Sequence, residues 1–284
     1  MRAIPLLLLP VLFLAIPLSA QTDPVAAGDA AWARRADGHQ GERAMAGPVS
    51  EAIAAYERAV KEKPDRLEAW WKLLRALHYK GDYVVPVADV KERQKVFGHG
   101  REVFEAALGQ IARRTGKKMD DLTPQQVAAQ VKSIPDAQPI YLWGAIHWGL
   151  WGDAYGRLAA ARQGVGDKVR RNGEIALAID ERYDRAAAHR LLGRLHTLAP
   201  KVPFITGWVD RDQAVSHLRR AVALAPEDLF NQVYLADALL QHFPAKAAEA
   251  KEILKRVLQK KPDPERVVED ERALAEARRL LAGK

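Results

Sequence analysis

Length, composition and charge limit what this chain can be before any motif is considered. It has 284 residues, no cysteine, and 44 Lys and Arg against 36 Asp and Glu, for a formal net charge of +8 at pH 7. The lack of cysteine excludes disulfides, thiolate catalysis and thiolate metal sites. The basic excess permits acidic partners, but acids and bases alternate along most of the sequence, so we interpret the charge mainly as solvated helix surface.

The first twenty residues have the pattern of a secretory signal peptide. Arg2 supplies positive charge, residues 6–16 form an apolar run interrupted only by Pro10, and Ala20 is a small residue suited to cleavage. The run is too short to favour a membrane span. We predict cleavage after Ala20 and a periplasmic or secreted protein, with an uncleaved anchor as the alternative. A lipid-modified amino terminus is excluded, because that modification needs a cysteine at the cleavage point.

Two helices of unequal clarity are predicted next. Residues 21–47 are rich in Ala and Gly and predict only a weak helix from Asp29 to about Gln40, followed by a loop. Residues 50–61 predict a clearer amphipathic helix, because apolar side chains recur on one face and Ser50 is a suitable N-cap.

The stretch from residue 64 to residue 83 predicts a third helix. Gly81 and Asp82 are turn-forming residues and should end it. Its apolar residues recur at the spacing of one helix face, and they are Trp70, Leu73, Leu74 and Leu77. We interpret this helix as the first member of a helix–turn–helix unit that the rest of the chain repeats.

One spacing recurs through the chain. Offsets of 4, 3 and 5 residues appear three times, in Ala52, Tyr56, Ala59 and Pro64, in Ala214, Leu218, Ala221 and Pro226, and in Ala250, Leu254, Val257 and Pro262. Weaker copies without the proline begin at Gly100 and Val169. The preceding helices carry a matching set, most clearly at His189, Leu192, Gly193 and His196.

These positions resemble the tetratricopeptide repeat. The resemblance implies an all-α, right-handed helix–turn–helix solenoid of about five degenerate repeats over residues 21–264. Insertions are predicted at 115–135, where a capping box from Thr123 to Gln126 begins a short helix, and at 199–208. Residues 265–284 predict an amphipathic helix that caps the last repeat.

Residues 139–156 form an unusual segment in which aromatic residues alternate with four glycines. Glycines disfavour a helix, so we expect close approach to another helix or to a ligand at these positions. The tryptophans cover more than one helix face. Three interpretations follow: repeat core, the wall of an apolar ligand channel, or an oligomer contact. The predicted binding residues are Trp143, His147, Trp148, Trp151, Tyr155 and Trp208.

No catalytic motif is recognisable, so we predict a protein that is not an enzyme and that needs no cofactor or metal. His189 and His196 lie two helical turns apart, too far for one metal ion, and are interpreted as packing residues. His147 and His217 are isolated in the sequence and predict little by themselves.

The order of motifs over residues 135–262 resembles the T component of tripartite ATP-independent periplasmic (TRAP) transporters. The matching features, in chain order, are the aromatic–glycine helix at residues 139–156, the segment 174–184, a loop that ends at Gly207, and the segment 212–228. The resemblance implies a periplasmic homo-oligomer that binds a solute-binding protein and a small apolar ligand. Members are typically lipoproteins, whereas this chain lacks the cysteine. The alternative is a generic exported tetratricopeptide scaffold for envelope protein assembly. A minor third option is a polyanion-binding protein.

Overall fold

The structure is a computed structural model, and it describes residues 22–283. Over that range the chain is helical, without a β-strand; one isolated bridge joins Gln40 and Arg43. The prediction of an all-α protein is therefore confirmed. The predicted signal peptide, residues 1–20, lies outside the described residues.

The described residues form thirteen α-helices. Their bounds are α1 Pro24–Ala33, α2 Ala46–Glu62, α3 Leu67–Tyr79, α4 Val90–Thr115, α5 Pro124–Val131, α6 Ala137–Tyr155, α7 Arg157–Arg162, α8 Val165–Ile179, α9 Tyr183–Leu198, α10 Arg211–Leu224, α11 Leu229–His242, α12 Ala247–Val257 and α13 Val267–Leu281. A π-helical turn at Lys80–Val84 follows α3, and short 3-10 turns precede α12 and α13.

The helices pack in chain order. Five pairs lie side by side: α1 with α2, α3 with α4, α6 with α8, α9 with α10, and α11 with α12. The second helix of each pair also contacts the first helix of the next pair, and α5 lies on α8. Apolar side chains form two buried clusters, one over the first eight helices and the start of α9, and one over α10 to α13.

The first two helices begin earlier than predicted. The weak helix expected from Asp29 to Gln40 is α1, which starts at Pro24 behind the N-cap Asp23. Ser50 lies inside α2 and is not its N-cap, which is Met45. The physical reason is that Pro48 fits the first turn of a helix, where a backbone N–H has no partner to lose, so α2 begins before it.

The third helix and the capping box agree with prediction. The apolar face of α3, Trp70, Leu73, Leu74 and Leu77, is buried. Thr123 and Gln126 form the predicted reciprocal cap of α5. Gly81, however, does not end the helical structure, because the π-helical turn runs through it. A Cβ on Gly81 would lie 2.3 Å from Cε1 of Phe97, so the glycine permits close packing against α4.

The start of α9 is a left-handed turn. Asp184, Arg185 and Ala186 have φ values of +46°, +58° and +61°. Left-handed backbone is unfavourable for residues with a Cβ, by about 1–2 kcal/mol each. Asn231 of α11 holds the turn: it is wholly buried, and its side-chain amide donates to the Arg185 carbonyl at 3.1 Å.

The last helix contacts both ends of the described chain. It packs on α11 and α12, where the cap of the final repeat was predicted. It also reaches the first helices: Val268 belongs to the first buried cluster, and Arg272 and Arg279 pair with Glu42 at 3.1 Å and 3.6 Å. Helix α13 is therefore held between the first and last helix pairs.

Candidate functional site

The aromatic residues predicted to bind a ligand or partner lie mostly inside the protein. His147 is fully buried, and Trp143, Trp148 and Trp151 expose 9%, 3% and 6% of their surfaces. Tyr155, in the last turn of α6, is 42% exposed. Trp208, the remaining predicted residue, is half-buried in the loop between α9 and α10.

Neighbouring helices explain why α6 contains glycine. A Cβ on Gly144 would lie 2.1 Å from the Phe104 ring of α4, and one on Gly152 would lie 3.0 Å from Val165 of α8. Gly156 has φ +87° where α6 ends. The predicted close approaches at Gly144 and Gly152 are thus to other helices of this chain. This geometry corresponds to the core interpretation of the segment.

Three aromatic rings contact one another in the carboxyl-terminal half of α6. Ring centroids of Trp148 and Trp151 lie 5.9 Å apart, and those of Trp151 and Tyr155 lie 4.5 Å apart in a stacked arrangement. Arg101 of α4 lies about 5 Å from both tryptophan rings, and the Lys168 ammonium lies 3.8 Å from Trp148. Cations over these ring faces stabilise the packing of α4 and α8 on α6.

Burial also lowers the pKa values of two groups around α6. Partial burial lowers the pKa of Lys168, against the raising effect of Glu105. His147 is buried more completely, and burial lowers its pKa to about 4. Its Nε2 donates a 2.8 Å hydrogen bond to the Leu74 carbonyl, since a carbonyl can only accept. His147 is therefore neutral at pH 7 and joins α6 to α3.

The structure does not place Trp208 beside the aromatic rings of α6. Its ring meets His196 of α9 edge-on at 5.5 Å, and the Arg170 guanidinium of α8 lies 4.5 Å from its centroid. A Cβ on Gly166 would lie 3.3 Å from it. Trp208 thus fastens the base of the α9–α10 loop to α8 and α9. The predicted binding residues divide into a set on α6, buried except for Tyr155, and this separate loop anchor.

Three histidines meet where α9 packs on α10, and the sequence patterns did not bring them together. Nδ1 of His189 and Nδ1 of His217 are 2.9 Å apart, and the rings of His196 and His217 stack at 6.2 Å. Nε2 of His189 is 3.2 Å from a Glu181 carboxylate oxygen. The sequence contained a signal for this contact. His217 directly precedes Leu218, one of the repeated packing positions, so pairing α9 with α10 would have placed His217 beside the histidines of α9.

The histidine cluster is poorly suited to carry charge. Burial, and then the proximity of His189 and His196, lower the pKa of His217 to about 4. Burial also lowers the pKa of His189, although the hydrogen bond to Glu181 opposes this. Among residues 22–283, no group of three or more His, Asp or Glu side chains has the geometry of a metal site. The cluster therefore packs as neutral imidazoles.

Two open depressions lie away from the aromatic helix. One, of about 450 Å³, is lined by residues 177–182 and His189, beside the histidine cluster. The other, of about 190 Å³, lies among α10, α11 and α12 and is lined by Arg219, Val222, Gln232, Leu235, Glu249, Ile253 and Arg256. Neither depression is lined by a predicted binding residue.

Neither the family models nor the curated proteins include a match to this chain. The part of the chain between residues 22 and 283 contains no helix that is both long and apolar enough to cross a membrane. Assignment of a function therefore depends on the packing order of the helices and on the surfaces that they leave exposed.

Proposed function

We propose that this chain is a periplasmic interaction protein built from five tetratricopeptide-type units, similar to the T component of TRAP transporters, and that it binds a solute-binding protein. The observation that carries the proposal is the order of helix packing. Five helix pairs follow one another, and each touches the next. This is the connectivity expected of a two-helix repeat whose apolar face is covered by the following repeat.

The repeated sequence positions support the same proposal. In all five second helices, the first three positions of the repeated spacing are buried, as expected for residues between stacked units. Gly193 supports a close crossing within the fourth unit, since a Cβ there would lie 2.5 Å from Leu218. Ala236 stands at the corresponding place in the fifth unit and is also buried.

The exposed residues favour a protein partner over a small apolar ligand. The faces of Trp148 and Trp151 are covered by Arg101 and Lys168, so a ligand would have to displace both cations. Tyr155 is the member of the predicted set that is most exposed. We therefore centre the proposed partner contact on Tyr155 at the end of α6.

Photo-crosslinking in the host cell tests this proposal. A photo-reactive amino acid replaces Tyr155 in one variant and Met45, which is 51% exposed, in a matched control. We expect crosslinking from position 155, but not from position 45, to a solute-binding protein identified by mass spectrometry. Crosslinks from both positions to many envelope proteins would favour the generic scaffold instead. No crosslink from position 155 would overturn the proposed contact.

A further inference from the structure

The end of α9 and the loop that follows it present apolar side chains to solvent. Leu198 is 55% exposed, Val202 37%, Ile205 55% and Phe204 fully exposed at 107%. Phe204 also has φ +63°, in the left-handed region that bulky residues rarely occupy. A loop with only a connecting role has no need of large apolar residues here, so this tip requires another explanation.

The loop is braced internally, so the exposed side chains project from an ordered turn. Thr206 makes the internal contacts: its hydroxyl donates to the Pro200 carbonyl and accepts from the Val202 amide at 3.0 Å. The Thr206 amide in turn donates to the Val202 carbonyl at 2.9 Å. These bonds fix the turn from which Phe204 and Ile205 project.

The base of the loop is anchored to the helices on either side. Trp208 packs between His196 and Arg170. Arg211 at the start of α10 donates to the carbonyls of Thr197, at 2.9 Å, and Ala199, at 3.1 Å. The apolar tip is therefore presented by the fold in a preformed shape.

Basic side chains accompany the apolar tip. Lys201 is exposed on the loop itself, and Arg170 lies beneath Trp208. Asp167 is 3.4 Å from Arg170, and Asp210 accepts hydrogen bonds from the first amides of α10, so both acids are engaged near the loop base. The net charge of the whole chain is +8. The tip thus combines exposed apolar side chains with the exposed ammonium group of Lys201.

We propose that residues 198–205 dock this protein on an anionic lipid surface. Phe204 and Ile205 enter the boundary between headgroups and acyl chains, and Lys201 contacts lipid phosphates. This combination of apolar and basic side chains is typical of interfacial membrane binding. Docking on lipid does not depend on the proposed protein partner.

The shape and charge of the tip favour a bilayer over other occupants. A stable protein interface takes about 20–30 residues from each partner, far more than residues 198–205 supply. Self-association would bring together two chains that each carry a net charge of +8, which like charges oppose. A bilayer needs no matching concavity and supplies the complementary negative charge.

Vesicle co-sedimentation of the purified full chain tests the proposal. The comparison uses vesicles of phosphatidylcholine alone and vesicles with an equal part of phosphatidylglycerol. We expect binding to the anionic vesicles that weakens as salt rises. The double substitution Phe204→Ala/Ile205→Ala should reduce this binding about tenfold or more, because both side chains lose their burial. Lys201→Glu should reduce it as well.

Two controls separate the loop from the rest of the chain. Val87→Ala removes part of another apolar side chain, 64% exposed, and should leave vesicle binding unchanged. All variants keep the same N-terminal segment, so differences among them report the loop. Circular dichroism checks that each variant is folded. Equal binding by the wild type and the folded double variant would overturn the proposal. The proposal would also be overturned if the wild type bound no vesicles but self-associated, and the double variant did not self-associate.

Discussion

Arg272 in the last helix donates a 2.8 Å hydrogen bond to the backbone carbonyl of Asp82, which lies 190 residues earlier in the chain. Its guanidinium also lies 5.0 Å from the Tyr83 ring. Its Nε is 3.1 Å from Glu42, in ion-pair but not hydrogen-bonding geometry. One side chain thus fastens α13 to the turn after α3 and to the segment before α2, and it joins the two ends of the helix array.

Removing this connection should weaken the whole fold. Arg272→Ala leaves the Asp82 carbonyl and the Glu42 carboxylate without this partner, and we expect a loss of about 1–3 kcal/mol in unfolding free energy. Arg278→Ala, at an exposed arginine on the same helix, should change it by less than about 0.5 kcal/mol. Urea denaturation followed by circular dichroism measures both, and equal stabilities would contradict the bridging role of α13.

His147 should make the protein less stable in mild acid. Its pKa in the folded protein is about 4, against about 6.5 for an unfolded histidine. Since the unfolded chain gains the proton first, the contribution of neutral His147 to the unfolding free energy is complete above about pH 6.5 and is lost as the pH falls towards 4. The difference between the two pKa values corresponds to about 3 kcal/mol of unfolding free energy.

The substitution His147→Gln tests that origin, because glutamine can still donate to the Leu74 carbonyl but does not titrate. Urea midpoints measured between pH 7.5 and 4 should fall less steeply in the variant than in the wild type. Some slope should persist, because the pKa of His217 is lowered in the same way. Parallel curves for the two proteins would show that His147 does not contribute.

Two glycines of α6 provide a matched pair of substitutions. Gly144→Ala places a methyl group 2.1 Å from the Phe104 ring and should destabilise the protein by about 1–3 kcal/mol through overpacking. Gly149→Ala meets only an ordinary 3.8 Å contact with Val169 and should stabilise it by up to about 1 kcal/mol through helix propensity. Thermal unfolding ranks the variants, and the opposite order would contradict the packing of α4 against α6.

Trp151 and Tyr155 distinguish core residues from binding residues. Trp151→Ala should lower the unfolding free energy by about 3–5 kcal/mol, because it empties a buried volume. Tyr155→Ala should lower it by about 0.5–1.5 kcal/mol, since the exposed ring loses mainly its stacking contact. Denaturation monitored by circular dichroism gives both values. A Trp151→Ala protein of unchanged stability would favour the ligand-channel interpretation over the core interpretation.

Asn231 should be needed for the left-handed turn that begins α9. Asn231→Ala removes the donor to the Arg185 carbonyl and the acceptor that lies 2.9 Å from Arg190, in a fully buried site. We expect a loss of about 2–4 kcal/mol from these unpaired groups. Gln232→Ala, next to it and partly exposed, loses one hydrogen bond to Pro226 and about 1 kcal/mol. Similar losses at the two positions would contradict the role of Asn231.

The sequence by itself determined the helical class and many of the helices. Apolar residues at helix spacing gave the buried face of α3, and the Thr123–Gln126 pair gave the start of α5, because both signals depend on neighbours three or four residues away. The N-cap predicted at Ser50 from the same kind of local signal was wrong, because Pro48 permits α2 to begin earlier.

Only the tertiary structure decided which faces of those helices are covered. Helices α3, α4 and α8 pack on α6, so its tryptophans are buried although the sequence left a ligand wall open. His217 meets His189 because α10 crosses α9, and Arg272 reaches Asp82 because α13 returns to the first helices. The exposure of Phe204 likewise depends on how Trp208 and Arg211 hold the loop. Such contacts join residues far apart in sequence, and short-range periodicity carries no information about them.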